Sequence, residues 1–373
     1  MAAAPIEDLG EALRRSYPEL DAVRAAAGET PVYVVGGAVR DLLLGERRGD
    51  VDLVVVGDAP ALAAKLGAGV VEHERFATAK ARLGEHEVDL ATARTERYPR
   101  PGALPEVEPA TDIEEDLARR DFTVNAMAVP LSGEPRPIDP HGGRADLEAR
   151  LLRVLHPRSF ADDPTRALRA ARYASRFGFA LAPETETLLR ETDLATVSAE
   201  RRDAELLRLA GEANAPRGFE LLGEWGLVEP RAGGVELAVR VAELLARPPW
   251  QGLVPRDRAL LTAALGPRGG EEALAAAEPG RPSEAVRLAR AHDPAELVLA
   301  RALGAEWLDR FVAEWDRVRL EIDGGDLIAA GVEQGPALGR GLAAALRRKL
   351  DGEIGGREEE LAAALDAARG GDA

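Results

Sequence analysis

The sequence changes character near residue 155, and that change bounds what the chain can fold into. Between residues 30 and 154 short β-branched apolar runs alternate with helix-like pieces, whereas beyond Pro157 no run predicts a strand. In order, the first stretch reads as "PVYVV", a helix "AVRDLLLG", a strand "VDLVVV", a helix from Ala59 to Leu66, then "GVVEH", "ATAKARL", "EVDLATA", a loop and "FTVNAMAVP". Such a mixture predicts an α+β domain with a mixed sheet, followed by an all-α remainder. Helix starts are marked by Asp162-Asp163-Pro164, by Pro183 and by Ser198, where a capping side chain or an N1 proline suits the exposed first-turn amides. The Pro/Gly-rich segments at 247–255, 266–270 and 278–283 read as loops between helices.

A chain of 373 residues with 46% apolar content can bury two or three cores. It has no cysteine, which excludes disulfides and thiolate metal sites. No apolar run approaches the roughly 18 residues that span a bilayer. The opening carries Glu7, Asp8 and Glu11 where a secretory signal needs positive charge and an apolar stretch. A cytoplasmic protein with no membrane partner is expected. The net charge of −17 argues, on average, against a polyanionic partner.

The strand "GDVDLVVV" places two carboxylates, Asp50 and Asp52, on one face of an otherwise apolar segment, because residues i and i+2 of a strand point the same way. Upstream, "VVGGAVRD" runs from a strand through Gly36-Gly37 into a helix, a geometry in which backbone amides can cradle a phosphate, and Arg40 adds a positive charge. A phosphate cradle beside paired carboxylates predicts a nucleoside triphosphate carried on Mg²⁺, since hard divalent cations bridge carboxylates to phosphates. Asp89, in "EVDLATA", is a candidate third carboxylate. In "EEDLARRDFTVNAMAV" a helix ends at Arg119-Arg120-Asp121. Arg120 can grip a phosphate and Asp121 can accept from ribose hydroxyls, while Arg119 fits a solvated basic helix end equally well.

The stretches "GGAVRDLLLG", "GDVDLVV", "RRDFTVNAMA", "DPHGG" and "SFADDPTRALRAARYASRFGF", in this order, resemble the class II tRNA nucleotidyltransferases, the CCA-adding enzymes, together with the similar bacterial poly(A) polymerases. The resemblance covers roughly residues 31 to 180. It implies a polymerase-β-like nucleotidyltransferase head (1–155), a helical neck (156–230) that recognises the nucleotide base, and a helical body and tail (231–373) that binds tRNA. It also implies addition of C and A to the tRNA 3′ end from CTP and ATP, with Asp50 and Asp52 holding two Mg²⁺ ions and Asn125 among the nucleotide-binding residues. CC-only, A-only and poly(A) products remain alternatives, as does a non-catalytic RNA-binding module. His292-Asp293 suggests a phosphohydrolase site, but no ligand cluster accompanies it.

Along the neck, at 100° per residue from Asp163, Arg166 falls at roughly 300°, Arg169 at 240°, Arg172 at 180° and Arg176 near 220°, opposite the small residues Ala167, Ala171 and Ala174. Asp163 and Arg166 can then address a base edge together. A carboxylate accepts from the exocyclic amine of cytosine or adenine and repels the carbonyl of uracil or guanine. In the family this pair reads the base, and Arg169 and Arg172 by position support the triphosphate; a salt-bridged helix surface is the competing reading. From Arg144 to Arg176 eight arginines face four acids, which gives RNA a local stripe despite the acidic whole, with Arg176 as a contact. In the tail, Gly335-Pro336 reads as a helix start followed by Arg340, Arg347 and Arg348, either RNA contacts or one side of a plain amphipathic helix.

Overall fold

The computed structural model describes residues 9–45, 51–67, 78–83, 86–133 and 136–370. The chain divides into two compact units, Met1–Glu229 and Pro230–Ala373. In the first, helices α1 (Leu9–Ser16) and α2 (Leu20–Ala27) precede β1 (Val32–Val35), α3 (Gly37–Leu43), β2 (Val51–Val55), α4 (Ala59–Lys65), β3 (Thr78–Leu83) and β4 (His86–Thr92). Then come β5 (Arg94–Arg97), β6 (Glu106–Pro109), α5 (Ile113–Ala118), β7 (Ala128–Pro130), α6 (Gly143–Ala149) and β8 (Leu151–Leu152). The unit ends with α7 (Ser159–Asp162), α8 (Thr165–Phe177), β9 (Ala180–Leu181), α9 (Pro183–Arg190), α10 (Ala199–Ala210) and α11 (Ala215–Glu224).

Five strands form a mixed sheet in the order β3-β4-β2-β1-β7, with β2 and β4 parallel and the other pairs antiparallel. In β2 the residues Val51, Leu53, Val54 and Val55 are buried and Asp52 is exposed. On one face of the sheet Val35, Val54 and Ala93 pack with Ala110, Ile113, Leu117, Ala126 and Ala128. Burying an aliphatic side chain of this size contributes about 1.5–3 kcal/mol. This cluster fixes α5 over the sheet, so the arginines that follow α5 are delivered to the edge of β1 and β2.

Four expectations are corrected. The loop expected after "EVDLATA" instead holds a ribbon, with β5 and β6 antiparallel in the register Arg94↔Pro109 to Arg97↔Glu106. Pro99, Pro101 and Pro105 lie in the connection, and Pro109 ends its strand, where a missing N–H is tolerated. In "FTVNAMAVP" only Ala128–Pro130 is strand, because Thr123–Asn125 forms a 3₁₀ turn. Beyond Pro157, β9 pairs in parallel with β8 over two residues each, too short to leave a periodic signal. Asp163 is not on the helix of Arg166: it is extended, φ −133° and ψ 93°, between α7 and α8. Pro164 imposes this by disfavouring the helical region for its predecessor. The segment "GVVEH" and Asp50 lie outside the described residues.

The second unit runs from α12 (Gly234–Leu245) to α20 (Gly356–Ala368), with no strand among its described residues. Ile322, Leu327, Val332, Ala345 and Ala364 form one of its cores. Its helix α19 (Pro336–Leu350) begins on Pro336, as the Gly335-Pro336 signal predicted. No described helix is long and apolar enough to cross a membrane.

Candidate active site

A cleft of about 1220 Å³ opens in the first unit. It exceeds the roughly 300–1,000 Å³ of a usual small-molecule pocket, which leaves room for more than one substrate. Of the sequence-predicted residues, Gly36, Gly37, Arg40, Asp52, Arg120, Asp121, Asn125, Asp163, Arg166, Arg169, Arg172 and Arg176 all line it. Among the described residues of its wall, ten guanidiniums face six carboxylates, a local excess of positive charge inside a chain of net −17. The candidates of the tail stand in the second unit on α19, with Arg340 and Arg347 exposed and Arg348 paired with Glu353 at 3.2 Å.

Asp52 projects from β2 at the cleft floor. Asp89 stands beside it on β4 at the same register, on a strand about 4.8 Å away, and forms an ion pair with Lys80 of β3 at 3.2 Å. A second cavity of about 380 Å³ shares Asp52, Arg119 and Arg120 with the cleft and adds Lys80 and Asp89. Neighbouring carboxylate oxygens on rigid strands are the donors a hard divalent cation takes, so the residues present fit such an ion. Asp52 and Asp89 alone do not complete a site: among the described residues no three His, Cys, Asp or Glu side chains are grouped to hold a metal.

Gly36 turns the chain from β1 into α3 at φ 64° and ψ −124°, a conformation that L side chains avoid. A Cβ there would lie 2.7 Å from Arg120 Nη1, so glycine admits the guanidinium against the backbone. Arg120 donates to Asp116 at 2.9 Å, and Arg119 donates to the same carboxylate from Nε and Nη2 at 2.9 and 2.8 Å. Asp116 has no exposed surface. Burial alone would raise its carboxyl, but Arg120 and Arg119 hold it below the usual carboxylate range. Sequence reasoning missed Asp116; its only signal is Asp at i with Arg at i+3 and i+4, an ordinary helix-surface pattern.

A buried relay links the remaining groups. Asp41 accepts from Arg40 and from Arg176, Arg40 donates to Asn125 Oδ1, and Asn125 Nδ2 donates to Asp121 at 2.9 Å. The Asn125 amide is oriented by having a cation on one side and an anion on the other. Asp121 also accepts from the Phe122 amide and from Arg169, at 2.8 Å from Nε and 2.6 Å from Nη2. Its lone pairs are thereby filled, so a ribose hydroxyl reaches it only by displacing a partner. Burial would raise the Asp121 carboxyl, but Arg169 and Asn125 hold it well below its ordinary value. Burial would lower Arg169, and Asp121 raises it. Asp163 differs. Its Oδ1 accepts from Thr165 Oγ1, from the Thr165 amide and from Arg201, while no hydrogen bond from a described residue falls on Oδ2. Arg166 is buried, donating to Ser159 Oγ and to the Arg119 carbonyl at 2.7 Å each.

The stripe is therefore not a bare cationic surface. Arg169 pairs with Asp121, Arg172 with Glu212 at 3.4 Å, and Arg176 with Asp41 at 3.1 Å. Arg172 and Arg176 stack over the rings of Tyr173 and Phe177. Sequence reasoning also missed Glu96, Tyr98, Arg201 and Glu205. Tyr98 donates to Glu96 at 2.9 Å, and burial together with that carboxylate pushes its phenol up. The ribbon tip is tied to the helices at Gly102, whose amide donates to the Asp162 carbonyl and whose carbonyl accepts from Arg201.

The Poly A polymerase head domain family matches residues 32–153. An A-adding tRNA nucleotidyltransferase of Aquifex aeolicus is 50% identical over 165 residues, which are 43% of this chain but only 20% of that enzyme. A CC-adding tRNA nucleotidyltransferase of Deinococcus radiodurans is 34% identical over 357 residues, covering 92% of this chain and 91% of the other. The solved Thermotoga maritima CCA-adding enzyme in complex with tRNA superposes with a TM-score of 0.71 at 27% identity, covering 98% of this chain and 99% of that one.

Proposed function

The chain belongs to the class II CCA-adding tRNA nucleotidyltransferase family, and we propose that it adds C and A nucleotides to the 3′ end of tRNA from CTP and ATP. The observation that carries this reading is the exposed Asp52, with Asp89 at its register, at the floor of a cleft walled by guanidiniums. The acceptor's 3′-oxygen attacks the α-phosphorus; the bond from that phosphorus to its bridging oxygen breaks, and pyrophosphate leaves with the electron pair.

In this reading Asp50 and Asp52 would hold two Mg²⁺ ions, which would supply charge neutralisation for the phosphates and a lowered pKa for the attacking hydroxyl. Asp89 takes up the hydroxyl proton. Gly36, Gly37, Arg40 and Arg120 receive the triphosphate, and Arg169 and Arg172 stabilise the charge that develops on the leaving group. The smaller cavity beyond Asp52 suits the acceptor's terminal nucleotide. Base choice falls to Asp163, whose unbonded Oδ2 accepts an exocyclic amine, with Arg166 beside it. In this reading the labour divides along the chain: residues 1–155 carry the chemistry, 156–230 read the base, and 231–373 hold tRNA, with Arg340, Arg347 and Arg348 as contacts.

The test is incubation of the purified protein with tRNA lacking its 3′ end, with CTP, ATP or both, read by product length. Three added nucleotides are expected when both are supplied. Extension by two Cs alone would make the product that of the Deinococcus relative, and no extension under any condition would overturn the reading.

A further inference from the structure

The guanidiniums at the polyphosphate end of the cleft all carry carboxylates, but the pairs are not alike. Asp121 and Asp116 close on their arginines at hydrogen-bond distance. Glu205, on α10, closes on Arg208 but not on Arg169 or Arg172. Its residue is 6% exposed and it lines the cleft. Oε1 accepts from Arg208 and stands 3.7 Å from Arg169 Nη1. Oε2 is buried without a hydrogen bond, 3.8 Å from Arg172 Nε, which is itself buried without one. An N–H···O bond needs about 2.7–3.2 Å. Two opposite charges are thus held close enough to attract and too far apart to bond, an arrangement that packing and hydrogen bonding do not favour by themselves.

We propose that Glu205 is a resident counter-anion of the polyphosphate site, a positioning residue that sets how tightly the cleft holds pyrophosphate and therefore how readily the leaving group departs. The inference rests on the transferase reading above. Coulomb attraction falls off only as 1/r, whereas a hydrogen bond is lost within an ångström. At 3.7–3.8 Å, Glu205 offsets part of the charge of Arg169 and Arg172 without taking up a hydrogen-bond donor of either. Without it the wall would bind substrate and product more tightly together. Uniform tightening of that kind lowers KM and slows product release without aiding the chemical step.

The probe is inorganic pyrophosphate, titrated calorimetrically at fixed salt and magnesium into the full-length protein. Glu205→Gln keeps the shape and removes the charge. Its pyrophosphate Kd should fall about tenfold, with KM for CTP and ATP falling in parallel and kcat falling too. Glu205→Asp, which keeps the charge, should restore values within about threefold of wild type. A purely structural role predicts the opposite sign, because a loosened α10 weakens binding. Arg208→Gln should weaken pyrophosphate binding, and Glu205→Gln with Arg208→Gln, a neutral removal, should return it to near wild type even if the single glutamate variant folds poorly. A Glu205→Gln protein with unchanged or weaker pyrophosphate affinity, or a double variant no tighter than Arg208→Gln, overturns the proposal while leaving the transferase reading standing. A wild-type protein that binds neither CTP nor pyrophosphate overturns both.

Discussion

Substituting Gly36 by alanine tests how the cleft seats its first guanidinium. At φ 64° and ψ −124° an L residue is strained by about 1–3 kcal/mol. The added Cβ would sit 2.7 Å from Arg120 Nη1, and the guanidinium must withdraw by about 0.7 Å to reach an ordinary 3.4 Å contact. A withdrawal of that size away from Asp116 would stretch the 2.9 Å bond from Arg120 Nη2 to about 3.6 Å, beyond hydrogen-bond range. A bond between charged groups is worth about 1.5–3 kcal/mol, so Gly36→Ala should cost the first unit about 2.5–6 kcal/mol, on the order of 5–25 °C in Tm. KM should rise at least tenfold, equally for CTP and ATP, because a phosphate contact does not sense the base. Thermal unfolding and steady-state incorporation read the two effects. In an Arg120→Ala background the steric part vanishes and only backbone strain remains, so the two substitutions should couple by about 1.5–3 kcal/mol. Equal cost of Gly36→Ala in both backgrounds, or wild-type KM values, would refute the seating of Arg120 against Gly36.

Asp52→Ala should abolish incorporation and leave Tm within about 2 °C of wild type, because the side chain is exposed while its strand neighbours form the core; residual addition above a few per cent would remove Asp52 from the chemistry. Asp163→Ala should raise use of UTP and GTP relative to CTP and ATP by about ten- to a hundredfold in competition on one tRNA, whereas Arg176→Ala should slow all four alike; parallel losses in both would place base selection elsewhere. Acid stability follows from Asp116 and Asp121. Burial opposes their ionised forms, but their arginines prevail and both folded pKa values are depressed. The stabilisation is complete above the unfolded value of about 3.9 and is lost as pH falls through the folded values. Denaturant unfolding of Asp121→Asn should therefore depend less on pH than wild type below about pH 4, and identical slopes would contradict the Asp121–Arg169 assignment.

The head was legible wherever local pattern and burial coincide. Val51 to Val55 announced a strand by β-branching and a lone polar position, and the helix expected from Ala59 is α4, which Asp58 caps. The legibility failed where a long-range partner decides. Thr123–Asn125 looks like strand, but the chain turns there and Asn125 comes to lie between Arg40 and Asp121, neither of which a local pattern identifies. Asp116 and Glu205 read as solvated helix acids, since nothing in their neighbours tells how deeply they are buried. The wheel drawn from Asp163 failed at Pro164, a boundary that the proline itself signalled.

The pairing of most of the cleft arginines with carboxylates has a kinetic consequence. At long range an incoming tRNA meets the field of a protein with net charge −17 and is repelled. Within about a Debye length, roughly 8 Å at physiological ionic strength, the excess of guanidiniums over carboxylates in the wall takes over. Encounter and retention thus answer to charges of opposite sign. Salt should speed the first and loosen the second, so the association rate rises and the residence time shortens as ions are added, and affinity peaks at an intermediate concentration. A basic RNA-binding protein loses association and retention together as salt rises; this chain is expected to keep casual polyanions at a distance and to hold those whose end reaches the cleft.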